Sequence, residues 1–412
     1  MQDAHVLQER GICVDDATLH VAINAQLVSF AETYRNAGVS RYTYSLLDGL
    51  SHANADLRYT AFVNGHEAAA AARSPLSATA RLRLVPSAWP TARPAERIFW
   101  EQVALPWALR QRKVDVFHSP VNVLPRGVPC ASVVTVHDLA FIHYPHYFRP
   151  ARRLYQRVFT AESTRGATVV VAVSESTKRD LVERFHVPEE RVRVIYPAIE
   201  ADFRPVENPD ELARFRAEHH LPERYLLFLG TLEPRKNLLG LVEAYARLRA
   251  LDPLAPPLII AGAKGWYHEA VFARVRTLGM EEHITFAGYI SRKEQPLWYA
   301  AAEFFVYPSF YEGFGLPVAE ALACGTPTIT SSVSSMPEAG GSIATLVQPG
   351  DVDGLAHAMQ SALADTSLRE RSHREGPRFA ARFSLANMSA AYIEVYHDAA
   401  TLERTRSGKR GR

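Results

Sequence analysis

Short apolar runs alternate with longer amphipathic stretches along most of the chain, and that alternation predicts the layout. Residues 19–24, 57–63, 82–85, 114–118, 132–136, 169–173 and 192–196 are short and rich in apolar and β-branched side chains, as strands should be. Val169-Val170-Val171-Ala172-Val173 lacks polar alternation, which marks a strand covered on both faces. Helical stretches fall between them at 43–50, 67–72 and 93–113, and Ser174 is placed to cap a helix that follows 169–173. From 200 to 224 the chain turns polar, with Pro205, Pro209 and Pro222, and reads as a linker with a short helix. The alternation then resumes, with strands at 225–229, 258–262, 284–290, 304–308 and 328–330 and a helix at 238–249.

Two such blocks predict an α/β protein of two doubly wound, Rossmann-like domains facing across a cleft. The expected units are 1–199, 200–383, a helix at 384–400, and 401–412, whose basic residues read as a disordered tail. A length of 412 residues agrees with more than one core. Composition mainly excludes. A net charge of +2 argues against a nucleic-acid partner. Cys13, Cys130 and Cys324 are too few and scattered for a disulfide framework, which favours a reducing compartment. Residues 1–16 lack the apolar core of a signal peptide, and no apolar run reaches the roughly 20 residues of a membrane span. A cytoplasmic protein is expected.

The 93–113 segment interleaves Ile98, Phe99, Trp100, Val103, Leu105, Trp107 and Leu109 with Arg93, Arg97, Arg110, Arg112 and Lys113. A core-packed helix with a basic outer face is the favoured reading. The other is an amphipathic surface that touches anionic lipid, which would make the protein peripheral on the inner face of the cell membrane.

Candidate chemistry gathers at strand ends, where open α/β sheets bind ligands. Gly38 and Arg41 follow the first strand, His118 and His137 end two others, and Gly230-Thr231-Leu232-Glu233-Pro234-Arg235-Lys236-Asn237 follows 225–229. Arg235 and Lys236 can both address a pyrophosphate and stabilise a leaving group as a metal would elsewhere. Ser309-Phe310-Tyr311-Glu312-Gly313-Phe314-Gly315-Leu316-Pro317 opens a short helix that Gly325 and Pro327 stop, with Glu312 before the turn and Glu320 inside. A helix start suits phosphate, and carboxylates accept from hydroxyls. Together they suit a sugar nucleotide.

The two glutamates, with seven residues between them and Gly-Phe-Gly-Leu-Pro inserted, resemble the donor-site signature of the retaining glycosyltransferases of family 4. The resemblance extends over nearly the whole chain. It implies the GT-B fold, with the helix at 384–400 crossing back onto the first domain, and it assigns roles. Arg235 and Lys236 hold the donor diphosphate, Glu320 accepts from the ribose, and Glu312 with the backbone of Gly313, Phe314, Gly315 and Leu316 positions the sugar. Gly38 faces the donor phosphates, and the backbone of Gly288, Tyr289 and Ile290 flanks the base. Val134-Thr135-Val136-His137-Asp138-Leu139 is similar to the motif whose histidine contacts the transferred sugar, so that role falls to His137. Ala198 departs from the family's usual glycine at the hinge.

The loop 36–42, His118-Ser119-Pro120 and the 230–237 run look most like the mannosyltransferase branch that extends lipopolysaccharide O-chains or exopolysaccharide repeats. That likeness implies GDP-mannose as donor and a lipid-linked glycan as acceptor. There is no Asp-x-Asp motif placed for a metal, so no metal and no cofactor are expected. A departing phosphate oxygen that deprotonates the acceptor on the same face is the expected mechanism, with Glu312 as nucleophile left open. A UDP-hexose transferase of the same fold, a sugar-nucleotide epimerase and a catalytically silent binding subunit also remain open.

Overall fold

The computed structural model describes residues 18–30, 38–53, 56–89, 91, 93–265 and 268–410. The segment read for a signal peptide, Cys13, and Asn36 and Ala37 lie outside these residues.

The first sheet has seven parallel strands: β1 (Leu19–Ala25), β2 (Leu57–Val63), β3 (Leu82–Pro86), β4 (Val116–Ser119), β5 (Ala131–Val136), β6 (Val169–Ala172) and β7 (Val192–Val194), in the order β3-β2-β1-β4-β5-β6-β7. The second has six: β8 (Leu226–Leu229), β9 (Leu258–Ala261), β10 (Ile284–Gly288), β11 (Phe304–Tyr307), β12 (Thr328–Ser331) and β13 (Thr345–Val347), in the order β10-β9-β8-β11-β12-β13. The central strands are buried along their whole length, so their apolar runs need no alternation. Each sheet reverses its winding once, between β1 and β4 and between β8 and β11. Such a reversal leaves a crevice at the strand ends. Asn24, His118 and His137 stand at that edge of the first sheet, and Gly230 and Ser309 at that edge of the second.

The chain passes between the two domains twice. The passages pair, with Ile199 N–H donating to Phe383 O at 2.7 Å beside a bridge between Ile199 and Ser384. After the second passage the helix Leu385–Arg410 packs on the helix Val39–His52 and on β5. The approach is close because position 49 is glycine: a Cβ there would lie 2.1 Å from Ser389 Oγ and 2.9 Å from Leu385 Cγ. Below the contact runs a buried polar chain. The Tyr42 and Tyr392 hydroxyls bond each other, Tyr392 meets Thr135 Oγ1 at 2.7 Å, and Thr135 meets His118 Nε2 at 2.8 Å. His118 Nδ1 reaches the Tyr396 hydroxyl at 2.8 Å. His118 is therefore a packing residue that ties the last helix to the sheet, and burial pushes its pKa down to about 3.

The expected disordered tail is a difference. The helix continues through Arg410, because Ala399 to Arg406 holds neither Gly nor Pro and is rich in good helix formers. Thr401 and Thr405 hydroxyls bond back to His397 O and Thr401 O at 2.9 and 3.0 Å. Among the described residues no helix is long and apolar enough to cross a membrane.

The depressed pKa of His118 has a pH signature. Between about pH 6.5 and 3 the unfolded chain binds a proton there and the folded one does not, so acidification through that window lowers stability. One such proton contributes up to about 1.4 kcal/mol per pH unit. In urea titrations at stepped pH, His118→Gln should show a shallower slope than the wild type by about one proton. Equal slopes would refute the assignment.

Candidate functional site at the domain cleft

Glu312 sits in the loop between β11 and the helix Leu316–Ala323, almost fully buried. A lone carboxylate there would be costly. It is compensated on both oxygens: Arg235 Nη1 donates to Oε2 at 2.7 Å, and Oε1 takes Lys236 Nζ, Ser309 Oγ at 2.8 Å and the Tyr307 hydroxyl at 3.1 Å. Burial alone would raise its pKa, but the two cations outweigh burial and hold it at about 2. Arg235 is held from its other side by Glu233 Oε1, at 2.7 Å from Nη2, and feels Asp138 from the first domain. These acids raise its pKa despite burial, whereas burial prevails at Lys236 and lowers it. The two loops are also joined through the backbone, since Phe310 N–H donates to Arg235 O at 2.9 Å.

A second charge chain runs beside the first. Glu320 is buried, with Oε1 2.8 Å from Arg292 Nη1 and Oε2 3.3 Å from the Tyr299 hydroxyl. Arg292 also meets Glu200 at 3.0 Å and lies over the Phe203 ring at 3.9 Å. Glu200 in turn is 3.8 Å from Arg41. Arg41, Tyr44, Glu200, Phe203, Tyr289 and Arg292 help line a cavity of about 1050 Å³ between the domains.

At the cleft floor the domains touch. A Cβ on Gly313 would lie 1.8 Å from His137 O, so glycine there is a steric requirement of the contact. Tyr311 donates to Asp180 at 2.7 Å and accepts from Leu139 N–H at 3.1 Å. Glu338 accepts from the N–H groups of Glu175 and Ser176, at 2.7 and 2.8 Å, and so caps a helix of the opposite domain, Glu175–Phe185. That helix also carries the expected Ser174 cap, on Thr177 N–H at 3.0 Å. Burial lowers the pKa of His137, whose ring packs edge-on against Tyr42 at 4.6 Å. Its Nε2 lies 2.8 Å from Pro120 O. A carbonyl only accepts, so Nε2 carries the proton and Nδ1 of the neutral ring is an acceptor.

The structure thus brings together His137, Arg235, Lys236, Glu312 and Gly313, and places Glu320 and Tyr289 in the adjoining region. Gly38 opens the helix Val39–His52 at φ 57°, and Gly288 has φ 73°. Some expected residues offer backbone only. Ile290 is buried in the core, and the Phe314 ring is buried between Tyr196 and Phe383. Gly315, at φ 98°, abuts Met336, and Leu316 packs partly into the core. Sequence reasoning missed Glu233, Asp138, Arg292, Glu200 and Glu338 as site residues. Glu233 lay inside the 230–237 run and Arg292 two residues past Ile290, so proximity to a motif was the signal. Among the described residues no group of three or more His, Cys, Asp or Glu could hold a metal ion.

Two family models match the chain: glycosyl transferases group 1 over residues 210–379 and Glycosyltransferase Family 4 over residues 36–203. The chain is 36% identical over 292 residues to O-antigen chain mannosyltransferase B of Escherichia coli, covering 70% of this chain and 76% of that protein. It is 28% identical over 281 residues to the E. coli serotype-specific mannosyltransferase WbdA, 67% of this chain but only 34% of that longer protein. Among solved structures, sucrose-phosphate synthase of Thermosynechococcus elongatus aligns with a TM-score of 0.73 at 21% identity, over 92% of this chain and 98% of that one. Anabaena HepE in complex with UDP-glucose aligns at 0.69 and 17%, over 92% and 100%. The fold is GT-B.

Glu312→Gln leaves Lys236 buried without a carboxylate and Arg235 with Glu233 alone, and should destabilise the fold by about 3–5 kcal/mol at pH 7. The carboxylate's pKa is depressed from 4.5 to about 2, so its contribution is complete above about pH 4.5 and fades as pH falls toward 2. The gap between wild type and variant in urea unfolding should narrow across that window. A constant gap would show that Glu312 is not the compensated anion.

Proposed function

The chain belongs to the family 4, group 1 glycosyltransferases, and we propose that it transfers mannose from GDP-mannose to a lipid-linked O-antigen or exopolysaccharide glycan, retaining the anomeric configuration. The observation that carries this reading is the Arg235–Lys236–Glu312 cluster meeting His137 at the cleft floor. The likeness to O-antigen mannosyltransferases favours mannose.

Arg235 and Lys236 are the groups proposed to stabilise charge on the departing diphosphate, in a site buried enough to strengthen that interaction. Glu312 balances both cations when no donor is bound. Its oxygens are occupied by Arg235, Lys236, Ser309 and Tyr307. A carboxylate so engaged is a weak nucleophile, which supports a same-face displacement. The bond from the anomeric carbon to the phosphate oxygen breaks, the acceptor oxygen bonds to that carbon on the same face, and its proton passes to the departing phosphate oxygen. Nucleoside diphosphate and glycoside result, with no metal required by this scheme. His137 Nδ1 would accept from a sugar hydroxyl. Arg292 would act as a positioning residue, holding the Glu320 carboxylate for the ribose hydroxyls, and the backbone of Gly313 to Leu316 would approach the sugar and phosphate oxygens.

The test is the melting-temperature shift with GDP-mannose, GDP, UDP-glucose and UDP, each with and without EDTA, for wild type and Arg235→Ala. A ligand at about 100 times its Kd stabilises by roughly 2.7 kcal/mol, enough to rank donors. A GDP-selective, EDTA-insensitive shift lost in the variant is expected, with NMR of the product showing the donor's anomer. A UDP-selective shift would overturn mannose, an inverted product would overturn the same-face scheme, a shift with no glycoside formed would favour a silent binding subunit, and no shift with any nucleotide would overturn the donor site.

A further inference from the structure

The helix Pro94–Gln111 is apolar on two faces. Trp100, Leu105 and Leu109 are buried in the first domain, as expected. The outer face is not simply basic, however: Phe99, Val103 and Trp107, spaced four residues apart on one stripe, are each more than half exposed. Trp89 is exposed beside them and stacks on Phe99, with ring centroids 5.6 Å apart and planes 9° from parallel. The helix Pro150–Gly166 adds Leu154 and Val158, again four apart and exposed. The loop at 124–126 links the two helices, since Arg126 N–H donates to Gln102 at 2.9 Å and Leu124 N–H to Ser163 at 2.8 Å. Six exposed large apolar side chains thus lie on one side of the first domain. A soluble surface rarely gathers so many in one area without a partner.

The charge around them is one-sided. Residues 93–113 carry five cations against Glu96 and the buried Glu101, and residues 149–165 carry five arginines against Glu162. The whole chain has a net charge of only +2, so the positive charge is segregated here. Both helices precede a strand of the parallel sheet and run against it, so their amino-terminal ends lie at the carboxyl edge of the sheet, where the cleft opens.

We propose that this face docks the protein onto an anionic lipid bilayer. The aromatic and aliphatic stripe would enter the interface to headgroup depth, and the flanking arginines would pair with lipid phosphates. Charge favours this occupant over a second copy of the chain, which would set one arginine rim against another. Docked this way, the cleft opens at headgroup level. The benefit for a lipid-linked acceptor rests on the function proposed above, whereas the docking itself does not.

The experiment is flotation of the full chain with vesicles of phosphatidylcholine alone or with about one third phosphatidylglycerol, without donor or acceptor. Binding to the anionic vesicles is expected, with a blue shift of tryptophan emission, and it should weaken as salt rises from about 0.05 to about 0.5 M. Phe99→Ser with Trp107→Ser should bind at least about tenfold more weakly at unchanged melting temperature. Arg152→Glu with Arg157→Glu should lose the preference for anionic over neutral vesicles. No vesicle binding by the wild type at low salt, or undiminished binding by the serine variant, would overturn the proposal. So would a dimer in solution that the serine variant dissolves while vesicles stay unbound. Because nucleotide shifts are read separately, loss of docking leaves the donor reading standing, and the reverse.

Discussion

The constraint on which the cleft depends is the burial of one carboxylate. An anion at Glu312 cannot remain in the interior unless cations and hydroxyls reach both of its oxygens. Those partners come from three places: Arg235 and Lys236 after β8, Tyr307 at the end of β11, and Ser309 in the loop. Meeting the demand of that one group therefore fixes two loops against each other. The same arrangement keeps two cations desolvated and oriented before any ligand arrives, which is what an electrostatic catalyst requires.

The two domains are held in contact by polar groups. Tyr311 spans to Asp180 and Leu139, Glu338 caps a helix of the other domain, and Thr177 donates to Gly313 O at 3.2 Å. Polar contacts of this kind can be exchanged for water at little net cost. Separation of the domains would also uncover the backbone at His137 and Gly313. His137 and Gly313 thus belong both to the contact and to the proposed sugar site, so binding there would be linked to closure through those two residues.

Much of this was legible because it is local. The strand at 57–63 has the expected bounds, Ser174 caps as its position suggested, and the Glu312–Glu320 spacing sits on the predicted loop and helix. The helices Pro150–Gly166 and Thr366–Ala380 went unread, because their arginine-rich sequences bury only part of one face. The pairing of Glu320 with Arg292, and the reach of the Asp138 charge to Arg235, join residues of different elements, and no spacing rule reveals such partners. Likewise 401–410 reads as a charged tail by composition but continues a helix already nucleated by packing upstream.

The return of the helix Leu385–Arg410 to the first domain also bears on the order in which the protein can assemble. Tyr392 and Tyr396 complete a network that begins at Tyr42 and His118, so contacts of the first domain span a sequence separation of 350 residues. During synthesis the seven-stranded sheet must wait, with Thr135 and His118 lacking their final partners, until Tyr392 and Tyr396 have been made. Of the two domains, the one translated earlier is therefore completed later.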